Sequence, residues 1–206
     1  MKFEFTPVKD IIEDSSYFED VKYGLYCWKL SEETNFNGCL YFWKTSEKIN
    51  FNGFENSEND RVIYVGKAEK YIADRFYDNH LNPIKNFSTF RRSIGAVLKE
   101  ELSLSALPKI DSKGNIIADK KKACRQYRFD EDGELKINQW MINNLEFGFI
   151  ELDSINDIKD KEDNCKEIIK PCLNCKNDKS YNIYYSEIKK LRGDCRKEAK
   201  VALKKM

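Results

Sequence analysis

An acidic stretch around residue 160 holds the side chains best suited to binding a metal ion. It contains Asp160, Glu162, Asp163 and Glu167. Carboxylate oxygens are the ligands that magnesium prefers, and magnesium keeps several of its waters, so one protein carboxylate can hold it. The same stretch is typical of the solvated face of a helix, and residue types alone leave both interpretations open.

Arg75 and His80 are two further side chains whose types could do chemistry. Arg75 has a fixed charge and forked donors that suit a phosphate group, although Asp74 or Asp78 could pair with it at the surface instead. His80 is the single histidine of the chain, and imidazole can exchange a proton near neutral pH. A purely structural role for His80 stays open beside the chemical one.

The seven cysteines do not predict a disulfide framework. Their odd number, and an N-terminus whose acidic residues rule out a signal peptide, favour reduced thiols. Cys172 and Cys175 have the spacing of metal ligands, but no second such pair accompanies them and zinc needs four ligands. No apolar run approaches the roughly 18 residues of a membrane helix. We therefore expect a cytoplasmic protein, with a cysteine-based metal or redox protein as a competing hypothesis.

Charge is segregated along the chain, although the formal net charge is only +1. Residues 61–128 carry a net charge of +8 and residues 169–206 carry +7, whereas residues 1–60 and 129–168 are acidic. A polyanion responds to the local field, so the neutral total does not exclude nucleic acid. The candidate contacts to a nucleic-acid backbone are Arg91, Arg92, Lys120, Lys121, Lys122, Arg125 and Arg128. These side chains are equally compatible with a solubilising surface.

The hydrophobic pattern predicts an α+β fold. Aromatic-rich or apolar runs bounded by turn signals predict strands at 22–30, 38–45, 61–65 and 146–152. Helical spacing predicts helices at 67–77, 88–98 (with Ser88 as N-cap), 135–144, 154–170 and 184–205, the last one basic. Residues 103–128 read as an exposed, mobile basic loop. Strands come early and helices cover them, which favours a small, mainly antiparallel three-stranded sheet flanked by helices.

Two short strings place tyrosines beside glycines on predicted strands, namely Gly24-Leu25-Tyr26 and Tyr64-Val65-Gly66. Lys67-Ala68 follows directly, and Arg75 lies on the next predicted helix. In this order the residues resemble the GIY-YIG nuclease superfamily. The strings are separated by 37 residues, far more than the usual short hairpin, so an inserted hairpin is expected. Tyr41, which follows Gly38-Cys39-Leu40, is therefore an alternative to Tyr26 as the first tyrosine.

The second half of the chain extends this resemblance. Glu162, Pro171 and Asn174 have the spacing at which the family places a glutamate, a proline and an asparagine. Three segments are similar to a bacterial single-domain branch of the superfamily: 88–93 (STFRRS), 140–144 (WMINN) and 188–199 (IKKLRGDCRKEA). The resemblance implies one domain over 1–206, with a core at about 21–175 and a helical extension at 176–206.

The resemblance implies a divalent-metal-dependent endonuclease that hydrolyses phosphodiester bonds, with double-stranded DNA as the expected substrate. The implied site residues are Tyr26, Tyr64, Lys67, Arg75, His80, Glu162 and Asn174. Tyr26 would act as general base, Arg75 would clamp the phosphate, and Glu162 would hold one Mg²⁺ or Mn²⁺, with Glu167 as a rival ligand. The alternative function is a nucleic-acid-binding module on this fold that does not cut. Without a visible recognition domain, specificity would come from the inserted hairpin, residues 103–134, a homodimer or a protein partner.

Overall fold

An antiparallel sheet forms the centre of the molecule. The computed structural model describes residues 4–14, 38–46, 51–54, 62–69, 72–82, 88–111, 113–152, 154–175 and 182–206. The strands are β1 (Thr6–Pro7), β2 (Cys39–Thr45), β3 (Val62–Ala68), β4 (Ala106–Leu107), β5 (Arg128–Phe129) and β6 (Leu145–Glu151). The main sheet has the order β1-β6-β2-β3, and β4 and β5 pair separately. The long strands β6, β2 and β3 give the predicted three-stranded core, and the α+β prediction is confirmed.

Helices cover both faces of this sheet. The helices are α1 (Val8–Glu13), a π-helix (Asp74–Leu81), α2 (Thr89–Val97), α3 (Lys120–Arg125), α4 (Glu131–Asn144), α5 (Ile158–Ile169) and α6 (Tyr185–Lys205). No helix in the described part of the chain is long and apolar enough to cross a membrane. The strand predicted at 22–30 lies outside the described residues. The strand at 38–45, which the sequence places in the inserted hairpin, is β2 and lies between β6 and β3 in the main sheet, so it is not an insertion at the margin of the fold.

Strand β2 is buried on both faces, which explains why its sequence is apolar almost throughout. Tyr41 and Trp43 belong to the large core that is shared with α1, the π-helix, α2, α4 and α6. Leu40 and Phe42 belong to a smaller core that includes Ile158 of α5. Successive side chains of a strand point to opposite faces, so β2 separates the two cores.

The π-helix is anchored to the sheet by aromatic packing. Phe76 stacks on Trp43 with ring centroids 5.5 Å apart and nearly parallel planes. It also meets the Phe147 ring edge-on at 4.9 Å. The helix predicted at 67–77 begins too early, because Lys67 and Ala68 continue β3 and pair with β2. Single π-turns are often found at functional sites, and this one carries both Arg75 and His80.

The segment predicted as an exposed basic loop is partly ordered. It contains β4 and α3, and β4 pairs with β5. Helix α3 begins after Asp119, whose side chain accepts a hydrogen bond from the Lys122 N–H at 2.8 Å. This cap and the packing of α3 on α6 stabilise a short helix in a lysine-rich sequence. Ser88 caps α2 as predicted, since its side chain accepts from the Arg91 N–H.

Candidate active site

Tyr41 and Tyr64 lie side by side on β2 and β3, with ring centroids 6.3 Å apart. Gly66 is the register partner of Tyr41 across the antiparallel pair. A Cβ atom at Gly66 would overlap the ring and hydroxyl of Tyr41. The glycine is therefore needed because the Tyr41 phenol lies directly over the β3 backbone.

His80 links Tyr41 to the start of helix α2. The Tyr41 Oη lies 3.0 Å from His80 Nε2, and His80 Nδ1 lies 2.8 Å from Ser88 Oγ. Either neutral tautomer of His80 satisfies both contacts. With the proton on Nδ1, the Tyr41 hydroxyl donates to Nε2 and His80 donates to Ser88, which leaves the lone pairs of the Tyr41 oxygen to accept a hydrogen bond from a water molecule.

His80 is neutral at physiological pH, which favours the structural role that the sequence leaves open beside proton exchange. Burial lowers the pKa of His80 to about 3, and the positive charges of Arg75 and Arg91 act in the same direction. The side chain is buried and surrounded by the rings of Tyr41, Trp43, Tyr64 and Phe90. His80 therefore acts through hydrogen bonding and not through its charge.

Both tyrosines are protonated phenols in this structure. Burial raises the pKa of Tyr64 to about 12 and that of Tyr41 well above its usual range. Glu162 adds to the rise at both phenols, whereas Arg75 lowers the pKa of each. The four groups are thus electrostatically coupled, although they come from β2, β3, the π-helix and α5. Positive charge delivered at Arg75 or Glu162 is what would bring either phenol closer to deprotonation.

Arg75 supplies positive charge to this site, and Lys67 lies near the end of β3. Arg75 is exposed on the π-helix, and its charge acts on Tyr41, Tyr64 and His80. The Lys67 ammonium group pairs with the neighbouring Glu69 carboxylate at the end of β3. An exposed guanidinium beside two buried phenols is suited to a phosphate oxygen.

Glu162 is the carboxylate that reaches the tyrosine pair. It lies on α5, and its Oε1 is 2.7 Å from the Lys166 Nζ. Its side chain keeps 13% of its exposure, so it is not fully buried. Within the described part of the chain, no three His, Cys, Asp or Glu side chains form a ligand cluster. The donor set fits a magnesium ion held by one carboxylate and otherwise by waters, and it does not fit zinc.

Asn174 and Cys172 contact the backbone of β3, and Cys175 contacts Cys172. Asn174 accepts from the Val65 N–H and donates to the Val65 carbonyl, both at 2.8 Å. The Cys172 thiol faces the Ile63 carbonyl at 4.0 Å, and the Cys175 thiol faces the Cys172 carbonyl at 3.9 Å. The Asn174 side chain thus pairs with the backbone of Val65, the residue between Tyr64 and Gly66, as a neighbouring strand would. The two thiols contact backbone carbonyl groups.

The sequence profile of the GIY-YIG catalytic domain matches residues 24–198, which is most of the chain. The chain belongs to the GIY-YIG family. Membership indicates a nuclease that acts on nucleic acid, and nucleases of this family generally depend on a divalent metal ion. No curated protein and no solved structure shows significant similarity to the chain.

The structure brings most of the predicted site together and removes one residue from the predicted nucleic-acid surface. Tyr26 lies outside the described residues. Arg91 is buried, and its guanidinium donates to Glu134, Asn138 and the His80 carbonyl. This is a correction, because a guanidinium saturated inside the protein does not face a phosphate. The lysines 120–122 and Arg125 are exposed on α3, and Arg92 is half-buried.

Two residues of the site were missed as site residues. Ser88 was predicted only as a helix cap, yet its hydroxyl also meets His80. Lys166 lies one helical turn after Glu162 and pairs with it. The spacing of four residues between Glu162 and Lys166 was a usable signal, because such pairs face each other on a helix.

Proposed function

We propose that this protein is a divalent-metal-dependent endonuclease that hydrolyses phosphodiester bonds in double-stranded DNA. The observation that carries the proposal is the electrostatic coupling of Tyr41, Tyr64, Arg75 and Glu162. Hydrolysis needs a positioned water, a proton acceptor and positive charge at the phosphate oxygens. Phenol oxygens, a guanidinium and a carboxylate able to hold magnesium supply those three requirements.

Tyr41 is the tyrosine we assign to the water. Its hydroxyl is engaged by His80 at 3.0 Å, so its position is fixed. It lies across the strand pair from Gly66, whereas Tyr26 is favoured by its Gly24-Leu25-Tyr26 string, with which the family match begins. In this assignment Tyr41 acts as the base after its own hydroxyl proton has left to solvent, and its phenolate oxygen then accepts the water proton. The other tautomer of His80, with the proton on Nε2, would donate to that phenolate. Tyr64 and Lys67 orient the water and phosphate, and Asn174 keeps the β3 backbone in place.

Glu162 is the proposed metal ligand, with Arg75 as the phosphate clamp. When bound there, a divalent ion would polarise the phosphate oxygens and cancel the negative charge that raises both phenol pKa values. Arg75 acts in the same direction on both phenols. Charge on the rim of the site therefore controls the basicity of the buried tyrosines.

A non-cleaving nucleic-acid-binding module is the second candidate, and one observation favours it. Burial raises the pKa of Tyr41 and Tyr64 so far that neither phenol is a base without added positive charge. A site whose phenols stay protonated with metal present would bind a phosphate group through Arg75 without activating water. The two candidates differ in cleavage and not in binding.

Nicking of supercoiled plasmid with Mg²⁺ or Mn²⁺ tests the proposal. We expect wild type to cut, Glu162→Gln to lose at least about a thousandfold of the rate, and Tyr41→Phe about a hundredfold. Tyr26→Phe is the matched control, because it removes the same hydroxyl from the other candidate tyrosine. Thermal melting of each variant checks that the fold is intact.

The pattern of losses decides between the assignments. If Tyr26→Phe loses the activity and Tyr41→Phe keeps it, the assignment of Tyr41 is wrong and Tyr26 takes its place. If Glu162→Gln cuts as fast as wild type, Glu162 is not the essential ligand. If folded wild type binds DNA and never cuts with either metal, the binding module is the correct function.

A further inference from the structure

Helix α6 presents two arginines to a cluster of cations drawn from three helices. Arg192 and Arg196 are one turn apart on α6, which packs on α2, α3 and β4. Arg92 of α2 and Arg125 of α3 act electrostatically on this pair. We call Arg92, Arg125, Arg192 and Arg196 the α6 arginine cluster. Only Arg92 and Arg125 belong to the surface that the charge pattern predicts.

The members of the α6 arginine cluster disfavour one another's charge. Burial lowers the pKa of Arg92 to about 10, and repulsion from Arg192 and Arg196 adds to the effect. The pKa of Arg196 is lowered by burial and then by Arg192 and Arg125. Nearby, the pKa of Lys109 is lowered by burial and by the charges of Arg92 and Lys122. Grouping like charges in this way is unfavourable unless an anion binds among them.

The carboxylate that acts on the α6 arginine cluster is committed to another cation, and the carboxylates of α6 itself lie on the other face of the helix, where they pair with lysines. Glu134 favours the charge of Arg92 but is bonded to Arg91 at 2.9 Å. On α6, Glu198 pairs with Lys99 at 3.0 Å and Asp194 pairs with Lys197 at 2.8 Å. The cluster therefore keeps an excess of positive charge.

The guanidinium groups also keep hydrogen-bonding capacity. Within the described residues, the buried Nε atoms of Arg192 and Arg196 have no hydrogen-bond partner. Behind them, the buried Tyr127 donates from Oη to the Arg92 carbonyl at 3.0 Å, which ties β5 to α2. A buried donor without an acceptor is costly, and a phosphate oxygen is an acceptor that suits arginine.

The α6 arginine cluster adjoins the candidate active site. The charge of Arg192 lowers the pKa of Tyr64 and that of Cys175. Arg192 thus acts electrostatically on Tyr64 as well as on Arg92 and Arg196, and so links the candidate active site to the cluster. A strand whose phosphate lies at Arg75 and Tyr64 would meet Arg192 next.

The other side of α6 has the opposite character. A groove of about 570 Å³ is lined by Glu187, Leu191, Asp194 and Glu198 of α6 together with Glu100 and Glu101. Its acidic walls repel a polyanion. The helix therefore separates a surface that attracts phosphate from one that excludes it, which restricts a nucleic acid to one side.

We propose that the α6 arginine cluster is a second phosphate-binding site, which holds the substrate backbone next to the scissile phosphate. The identity of the ligand as substrate rests on the proposed nuclease function, whereas the binding itself does not. Backbone contacts of this kind fix the position of a nucleic acid without reading its sequence.

The test measures binding of a short DNA duplex by fluorescence anisotropy over a range of KCl concentrations, with EDTA present to prevent cleavage. Arg192→Gln/Arg196→Gln is compared with Lys204→Gln/Lys205→Gln, which removes the same charge from the exposed end of α6. We expect the slope of log K against log [KCl] to fall by about 1.8 in the arginine variant, since each lost phosphate contact contributes about 0.9. The lysine variant should change the affinity by less than about twofold.

Equal weakening by both variants would overturn the proposal, because it would show a diffuse field and no site. An unchanged salt slope in a folded arginine variant would overturn it as well. If the double variant does not fold, Arg196→Gln alone should lower the slope by about 0.9. Arg192→Lys/Arg196→Lys keeps the charge and should keep most of the slope.

The same samples separate this proposal from the proposed function. If wild type binds but never cuts, and the arginine variant still loses salt slope, the phosphate site stands and the nuclease assignment fails. If wild type cuts and the arginine variant binds as wild type does, the nuclease assignment stands and the phosphate site fails.

Discussion

Two ion pairs of similar geometry flank the tyrosines and differ in how completely they are closed. Arg91 and Glu134 are 2.9 Å apart, with side chains 2% and 6% exposed. Glu162 and Lys166 are 2.7 Å apart, with side chains 13% and 5% exposed. Both oxygens of Glu134 accept protein hydrogen bonds, one from Arg91 and one from the Phe129 N–H at 3.0 Å. The Glu162 side chain is more exposed than that of Glu134, and its Oε1 pairs with Lys166.

The difference separates a structural role from a chemical one. Arg91 joins α2 to α4 and, through its bond to the His80 carbonyl, to the end of the π-helix. Breaking such a buried pair leaves an uncompensated charge inside the protein. Glu162 pairs with the ammonium group of Lys166 on the same helix. A divalent ion can bind the Glu162 carboxylate beside that group or displace it. The Arg91–Glu134 pair, here called the closed pair, therefore fixes the positions of Arg75 and His80. The Glu162–Lys166 pair, here called the open pair, is available to a metal ion.

Breaking the closed pair of Arg91 and Glu134 should give the largest effect on the free energy of unfolding. Arg91→Met removes the cation and leaves Glu134 buried, so we expect unfolding to become easier by about 3–5 kcal/mol. Lys136→Met is the control, because its partner Asp132 is exposed on α4 and the loss should stay below about 1 kcal/mol. Urea denaturation followed by circular dichroism measures both.

A double variant keeps this prediction testable if Arg91→Met is too unstable to purify. Arg91→Met/Glu134→Leu removes both charges and should recover a large part of the lost stability. Equal, small losses in Arg91→Met and Lys136→Met would show that the closed pair has no structural role. The comparison between the two pairs would then fail.

The sequence predicted the elements of this fold better than their details. Strand β2 and helix α4 were found because aromatic runs and helical spacing are local signals. The π-helix was missed, since the apolar spacing of residues 74–81 does not reveal one extra residue per turn. Helix α3 was read as a loop because three successive lysines masked a capped turn.

The site was predictable in its residue types and not in its partnerships. Arg75 and Glu162 were identified from their place in the family pattern, and the structure couples both to the tyrosines. Arg91 was assigned to the surface because its partner Glu134 is 43 residues away, and no local signal reveals such a pair. Tyr41 competes with Tyr26 because it is the register partner of Gly66, and strand pairing is also a long-range property.

His80 lies between the two pairs and should make stability depend on pH. The unfolded chain binds a proton at a histidine below about pH 6.5, whereas burial holds the folded pKa at about 3. Between these values the unfolded state binds more protons, so the folded state loses stability as pH falls. We expect the stability advantage of wild type over His80→Gln to shrink by about 1.4 kcal/mol per pH unit from pH 6 to pH 4.

The comparison of wild type with His80→Gln isolates this effect, since both proteins share the same carboxylates. Urea denaturation at pH 8 and pH 7 should give the same difference between them, because His80 is neutral in both states there. A difference that stays constant down to pH 4 would show that His80 is not held neutral by burial. The hydrogen bond to Tyr41 would then be the part of its role that remains.

Breaking the open pair of Glu162 and Lys166 should give the smallest effect, which is a gain in metal affinity and not a loss of stability. Lys166→Met keeps the aliphatic stem and removes the cation that competes for Glu162, so we expect Mn²⁺ to bind roughly three- to tenfold more tightly. Lys159→Met, an exposed lysine of the same helix, is the control and should change the affinity by less than about twofold. Isothermal titration calorimetry in the absence of DNA measures both. Weaker Mn²⁺ binding in Lys166→Met would show that the lysine orients Glu162 for the metal. The pair of Glu162 and Lys166 would then be a fixed part of the site, just as the pair of Arg91 and Glu134 is a fixed part of the core.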